Sequence, residues 1–297
     1  MRAFVTGASG FVGPWLVRHL EAAGDDVVVA GHDVDVTDPK ALRSAVEDAQ
    51  PDAIYHLAAL ANVAESWDAP ARTFEVNALG TLHLLEAARR CGPAPRVLLV
   101  GSAEVYGSAA PDQLPIDEAT PLRPVTPYAA SKVAAEYLGL QAHLAHGLPV
   151  VRARAFNHVG PAQSGSFVVA DLAGRIVDAE RTGSRTLRVG NLSARRDFTD
   201  VRDVVRAYRL LVDRGVPGEV YNVCSGADVA IEELARRLLA LAGVELTLET
   251  DPELARPVDV PVLRGDPARI RAATGWRPDI PLDDTLRDVL AHWRAAT

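Results

Sequence analysis

Residues 2–19 read RAFVTGASGFVGPWLVRH: a short apolar run, a turn holding three glycines, and the start of an amphipathic helix. No other stretch restricts the fold as strongly. A strand that stops at a glycine turn and continues as a helix is the opening of a βαβ unit. Gly7, Gly10 and Gly13 are spaced G-x-x-G-x-x-G. In such a turn the backbone can approach a pyrophosphate, and the helix N-terminus offers unpaired N–H groups and a positive dipole end. Asp33 stands 20 positions after Gly13, where an acid can hold a ribose 2′-hydroxyl, and Asp35 follows it. No arginine follows the second apolar run, so a 2′-phosphate finds only His32 there. That favours NAD over NADP without deciding between them.

The alternation continues downstream. Strands are predicted near 26–30, 53–59, 96–102 and 149–156, with helices near 39–48, 70–91 and 127–146. A further strand is predicted near Val34–Val36. Near-continuous apolar strands alternating with helices indicate an α/β chain whose parallel sheet is covered on both faces. After Phe156 the alternation weakens. Helices near 167–182, 200–214, 229–242 and 283–296 and strands near 186–189 and 219–225 predict a smaller second lobe. The boundary falls between residues 157 and 158, giving units 1–157 and 158–297, with segments near 191–225 returning to the main sheet.

Composition narrows the class of partner. The 297 residues carry a formal charge of −8, which argues against a nucleic-acid surface. No apolar run approaches the roughly 20 residues of a membrane span. The first residues enter a strand at once and leave no room for a leader, and the 2 cysteines, Cys91 and Cys224, have no metal spacing. A cytoplasmic protein with free thiols is expected. His19, His83 and His143 have no ligand spacing either, so no metal is expected. His158 sits at a predicted strand end near the glycine turn.

The motif PYAASK places Tyr128 and Lys132 one helical turn apart on one face. A phenol with pKa about 10 is a poor acid or base at neutral pH. A neighbouring ammonium should lower that value and let the phenol exchange a proton with a carbinol or carbonyl oxygen while a hydride moves to or from nicotinamide. Ser102, at the end of the preceding predicted strand, is placed to hydrogen-bond the same oxygen.

With these residues in view the chain resembles the extended short-chain dehydrogenase/reductase family over nearly its whole length. The resemblance is carried by VTGASGFVG, DVTD, HLAA, VNALGTLHLLEA, GSAEVYG, PYAASK, FNHVGP, RDFTDVRDV, YNVCSG and TGWRP. It implies a Rossmann doubly wound sheet with a smaller C-terminal lobe that binds a nucleotide sugar. It implies cofactor contacts, to NADP or NAD, at Gly7, Gly10, Phe11, Val12, Asp35, Val36, Leu57, Ala59, Asn77, Tyr128, Lys132 and Phe156; Gly13 and Asp33, placed by their spacing, and Ala58 beside Leu57 are expected at the same cofactor. It further implies a homodimer through a four-helix bundle built from the helices near 70–91 and 127–146. Within the family, the second half is most similar to reductases of GDP-4-keto-6-deoxy-D-mannose. That similarity implies that Asn157 touches the sugar or diphosphate, and that Arg196 and Arg256 bracket the diphosphate and nucleoside. Paired arginine forks suit such oxygens.

The segment GSAEVYG separates three reactions available to this scaffold. In the family's 4,6-dehydratases a hydroxyl residue, an aspartate or serine, and a glutamate precede the V-Y-G or L-Y-G. Here the middle residue is Ala103. A methyl can neither protonate a leaving hydroxyl nor orient a water, which disfavours dehydration. Glu104 is expected to accept a hydrogen bond from a sugar hydroxyl. Reduction and 4-epimerisation stay open on the residues alone; the family pattern favours the reductase. A dinucleotide sensor without turnover is disfavoured by the intact Ser102, Tyr128 and Lys132.

Overall fold

The computed structural model describes residues 1–31, 34–251 and 260–296. Six parallel strands form the central sheet: β1 (Arg2–Thr6), β2 (Asp26–Val29), β3 (Ala53–His56), β4 (Arg96–Val100), β5 (Val150–Ala155) and β9 (Val220–Val223). Their spatial order is β2-β1-β3-β4-β5-β9. The chain leaves β1 toward β2 and later returns to place β3 on the other side of β1. Open α/β sheets bind ligands at such a reversal, beyond the carboxyl ends of the strands.

Each face of the sheet is covered by helices whose apolar positions match it. On one face α1 (Gly13–Ala22) and α8 (Val201–Arg214) bury Leu16, Leu20, Tyr208 and Leu211 against Val5, Tyr55 and Leu98. On the other, α2 (Pro39–Ala49), α5 (Gly80–Arg89) and α6 (Pro127–His146) bury Leu42, Val46, Leu84 and Ala142 against Phe4, Ile54 and Leu99. Asp38 starts α2 by accepting from the Lys40 and Ala41 N–H groups.

The strand predicted near Val34–Val36 does not form. The Asp35 carboxylate accepts from both the N–H and the hydroxyl of Thr37 at 2.9 Å, folding the segment into a turn. Local side-chain hydrogen bonding outweighs the β preference of two valines. The helix predicted near 70–91 is also modified. It runs as α4 (Pro70–Phe74), a wide π-type turn over Glu75–Leu79, and α5. A short α3 (Glu65–Asp68) precedes it.

The remaining chain forms a second layer of structure. In it, β8 (Arg195–Asp200) pairs with β6 (Asn157–Val159), β10 (Asp228–Ala230) and β12 (Val262–Leu263). Next to it β7 (Thr186–Val189) pairs with β11 (Thr247–Thr250). A separate apolar cluster joins α7 (Val168–Thr182), α9 (Ile231–Ala242) and α11 (Leu282–Ala296) through Leu172, Ile176, Leu234, Leu238, Leu286 and Val289. Chain beyond residue 157 therefore serves both layers, because β9 and α8 belong to the central sheet while α7, α9 and α11 do not. α10 (Ala268–Thr274) packs against α8 and β9.

Candidate active site

The glycine turn lies at the reversal point of the sheet. Gly7 has φ +71°, and a Cβ there would stand 2.6 Å from the Ala58 nitrogen beyond β3. A Cβ on Gly13 would run into the Ala8 carbonyl. These two glycines let the turn close against the neighbouring strand and the helix. α1 has no side-chain cap at its N-terminus, so its first N–H groups remain available to an anion. A cavity of 590 Å³ opens there, lined among others by Gly7, Ser9, Arg18, Asp35, Val36 and Ala58. Its size and its glycine-backbone wall fit a dinucleotide.

Of the residues expected to hold the cofactor, Gly7, Asp35, Val36 and Ala58 line this cavity; the others are placed as follows. The Phe11 ring stacks on His158, with centroids 6.0 Å apart. Gly10 donates its N–H to the Gly7 carbonyl at 3.1 Å, and Val12 ends the turn as the residue before α1. Leu57 extends β3 by donating to the Thr6 carbonyl at 3.2 Å; Ala58 and Ala59 follow it. Phe156 is different: its ring is buried in a cluster with Tyr106, Ile116 and Cys224. Asp33 lies outside the described residues.

Asn77 sits in the wide turn between α4 and α5. Its side chain accepts from the Leu60 N–H and donates to the Leu60 carbonyl and the Ser131 hydroxyl. One amide thus fixes the loop beyond β3 against α6. Wide turns of this kind recur at functional sites.

α6 is capped by Thr126, whose hydroxyl accepts from the Ala129 N–H at 3.0 Å, with Pro127 in the first turn. Tyr128 and Lys132 follow on its buried face. Ser102 ends the loop from β4 and caps a 3₁₀ turn over Ala103–Tyr106, accepting from the Glu104 N–H at 3.2 Å. The structure brings Ser102, Tyr128 and Lys132 to the carboxyl ends of β4 and β5. Burial raises the Tyr128 phenol to about 12; the nearby Ser102 hydroxyl pulls it back and the Glu104 carboxylate pushes it further up. Burial lowers the Lys132 ammonium to about 8. The lysine donates to the Val100 carbonyl at 2.9 Å. Burial therefore outweighs the lowering of the phenol expected from the lysine, and the ammonium gives one N–H to the carboxyl end of β4.

One turn beyond Lys132, Glu136 receives Arg152 at 3.2 Å and both Nε and Nη2 of Arg154 at 2.9 and 2.6 Å. Arg154 also donates to the Tyr106 hydroxyl at 2.8 Å, which donates to Asn222 at 2.7 Å. This buried network ties α6, β5, β9 and the Ser102 turn together. Sequence reasoning missed it, because two arginines inside PVVRARAF interrupt an otherwise apolar strand without showing their partner. It also missed Ser131, and Ser66, whose hydroxyl accepts the Tyr128 N–H at 3.2 Å.

On the side facing the second layer, Asn157 begins β6, and its side-chain oxygen is buried with no hydrogen-bond partner among the described residues. Arg196 is buried on β8 and donates to the Arg195 and Val260 carbonyls. The neighbouring Asp197 accepts from Ser225, Gly226 and Gly265, pinning the turn at 225–226 and the chain just beyond β12 at 265 to β8. Glu104 is half-buried beside the phenol, and Ala103 is 1% exposed. Arg256 lies outside the described residues. Cys224 is buried in the apolar cluster below as a small core residue, and burial raises its thiol pKa. Among the described residues no group of metal-ligating side chains is found, and no helix is long and apolar enough to cross a membrane.

Residues 29–289 match the family model for GDP-mannose 4,6 dehydratase. A GDP-6-deoxy-D-mannose reductase of Pseudomonas aeruginosa is 41% identical, over 99% of this chain and 97% of that protein. The solved structure of RMD from Pseudomonas aeruginosa complexed with NADPH superposes with a TM-score of 0.92 at 40% identity, covering 100% of both chains. The UDP-glucose 4-epimerase of Thermus thermophilus in complex with NAD gives 0.90 at 30% identity, again over 100% of both chains. The fold is thus shared with these nucleotide-sugar enzymes along the full chain. The chain belongs to the GDP-mannose 4,6-dehydratase family of extended short-chain dehydrogenase/reductases.

Proposed function

We propose that the protein reduces C4 of a GDP-linked 4-keto-6-deoxyhexose, converting GDP-4-keto-6-deoxy-D-mannose to GDP-D-rhamnose. The observation that carries this reading is the buried methyl of Ala103 between Ser102 and Glu104. Dehydration needs a proton donor for the departing hydroxyl, and this position has none. Reduction needs only a hydride and one proton. The glycine-lined cavity would hold a reduced nicotinamide dinucleotide, which would supply the hydride. Tyr128 gives its proton to the C4 oxygen as the carbonyl becomes an alcohol, and solvent later reprotonates the phenolate. Burial keeps the phenol protonated at neutral pH, and the Lys132 ammonium would stabilise the phenolate that proton donation leaves. Ser102 hydrogen-bonds the same oxygen. Lys132 keeps one N–H on the Val100 carbonyl, and its other N–H groups serve the cofactor ribose and the developing phenolate. Glu104 accepts from a sugar hydroxyl, the Asn157 oxygen, which has no hydrogen-bond partner among the described residues, is met by the substrate, and Arg196 and Arg256 are assigned to the diphosphate and nucleoside.

The test is an assay with the 4-keto sugar and reduced cofactor. One equivalent of cofactor is oxidised per equivalent of C4 alcohol formed. Tyr128→Phe lowers kcat about 10²- to 10⁴-fold while the cofactor still binds. Conversion of UDP-glucose without net cofactor oxidation would overturn the reading in favour of a 4-epimerase.

We further propose a cytoplasmic homodimer. Phe74 and Leu79 on the α4–α5 rod and Tyr137 and Leu144 on α6 are large apolar side chains left exposed, Leu144 at 74%. Light scattering should give twice the chain mass; a monomer at micromolar concentration would overturn this.

A further inference from the structure

The cavity at the glycine turn contains a cation that neither the glycine motif nor the acids beyond β2 account for. Arg18 lies on the second turn of α1 and lines the same wall as Val29, Gly31 and Val34, which carry the chain out of β2. The end of β2 is where a Rossmann fold meets the adenosine ribose. The Arg18 guanidinium lies 4.4 Å from the centroid of the Trp15 ring. Among the described residues it makes no ion pair or hydrogen bond. The tryptophan face fixes the plane of the guanidinium while leaving its N–H edge open. The acid on the same wall does not cancel it. Asp35 takes both Thr37 donors on Oδ1 and faces Arg72 at 3.6 Å with Oδ2.

We infer that Arg18 binds the adenosine 2′-phosphate and makes the protein selective for NADP(H) over NAD(H). A ribose 2′-phosphate carries between one and two negative charges at neutral pH, and a guanidinium fork can hold two of its oxygens at once. This deepens the cofactor side of the proposed reductase but does not depend on its sugar.

The test is equilibrium binding by calorimetry, with no sugar present, of NADP⁺, NAD⁺ and 2′,5′-ADP to the wild-type protein, Arg18→Ala and Arg18→Lys. Wild type should bind NADP⁺ at least 10-fold more tightly than NAD⁺. Arg18→Ala should weaken NADP⁺ and 2′,5′-ADP by about 10- to 100-fold and change NAD⁺ by less than about 3-fold. Arg18→Lys should recover part of the loss, because it keeps the charge but not the fork. Raised ionic strength should weaken NADP⁺ more than NAD⁺ in wild type and equally in Arg18→Ala. A wild type that prefers NAD⁺, or an alanine variant that weakens both dinucleotides equally, overturns the inference. Arg18 is exposed and lies outside the core, so a thermal melt of Arg18→Ala near that of wild type keeps the binding result interpretable. Failure here leaves the sugar assay untouched, and failure of the sugar assay leaves these affinities untouched.

Discussion

Lys132 and Glu136 stand one turn apart on α6, both buried, and the protein treats their charges in opposite ways. Glu136 is surrounded by two guanidinium groups within hydrogen-bond distance. Lys132 has a backbone carbonyl and, among the described residues, no carboxylate partner. The first arrangement is complete without any ligand. It holds Arg154 charged, its pKa raised above the usual arginine value by Glu136 and the Tyr106 oxygen against the opposing effect of burial. The second leaves a desolvated ammonium whose missing partners a cofactor ribose and a phenolate would supply. A buried charge with its counter-ion in place is architecture; one kept short of partners is held ready for chemistry, at a cost in stability.

Three measurements can break or sharpen this contrast. Removing the negative member of the complete set should hurt most. Glu136→Gln leaves two buried guanidiniums with no counter-charge and should destabilise the fold by about 3–5 kcal/mol in urea titration. A loss below about 1 kcal/mol would mean that the network is not structural. Replacing the incomplete charge should act in the other direction. Lys132→Met should stabilise the cofactor-free protein by about 1–3 kcal/mol at pH 7 while abolishing turnover. The native pKa of Lys132 lies below that of the unfolded chain, so the unfolded state binds the extra proton between pH 8 and the ordinary lysine value. Wild-type stability from this group therefore rises with pH across that window, and the advantage of Lys132→Met should shrink toward pH 10. An advantage that does not change between pH 7 and 10 would contradict the depressed lysine. The smallest effect belongs to the substrate side. Glu104→Gln should raise KM for the 4-keto sugar about 3- to 10-fold with kcat nearly intact. A collapse of kcat would give Glu104 a role in proton transfer.

Local chemistry was what could be read from the residues. The glycine turn, the sheet behind it and the Tyr128–Lys132 helix depend on short-range spacing, and they stand where the spacing puts them. What escaped depends on contacts across the fold. β6, β10 and β12 have 3, 3 and 2 residues and exist because β8 gives them an edge to pair with. Arg18 gives no signal in the sequence, because only the fold brings α1 to the cavity wall beside the end of β2. The ring of Phe156 went to the core because the space beside Gly265 and Cys224 is filled by it. Glu136 gives no hint in PYAASKVAAE of the two arginines it neutralises. The raised pKa of the phenol has a related cause: spacing along a helix does not show that burial outweighs a neighbouring charge.

The wide turn at Glu75–Leu79 has a consequence for how this chain can vary. Such a turn amounts to one residue added to an α-helix, and each residue advances the helix by about 100°. Deleting one residue there would keep the rod continuous but shift the phase of everything after it. Leu84 and Leu85, now packed with α2 and the sheet, would swing toward solvent, and Gly80, over which Val36 closes, would leave its neighbour. Point substitutions in this rod are matters of packing; a change of its length by a single residue is a change of register, and the register is what holds Asn77 at the site.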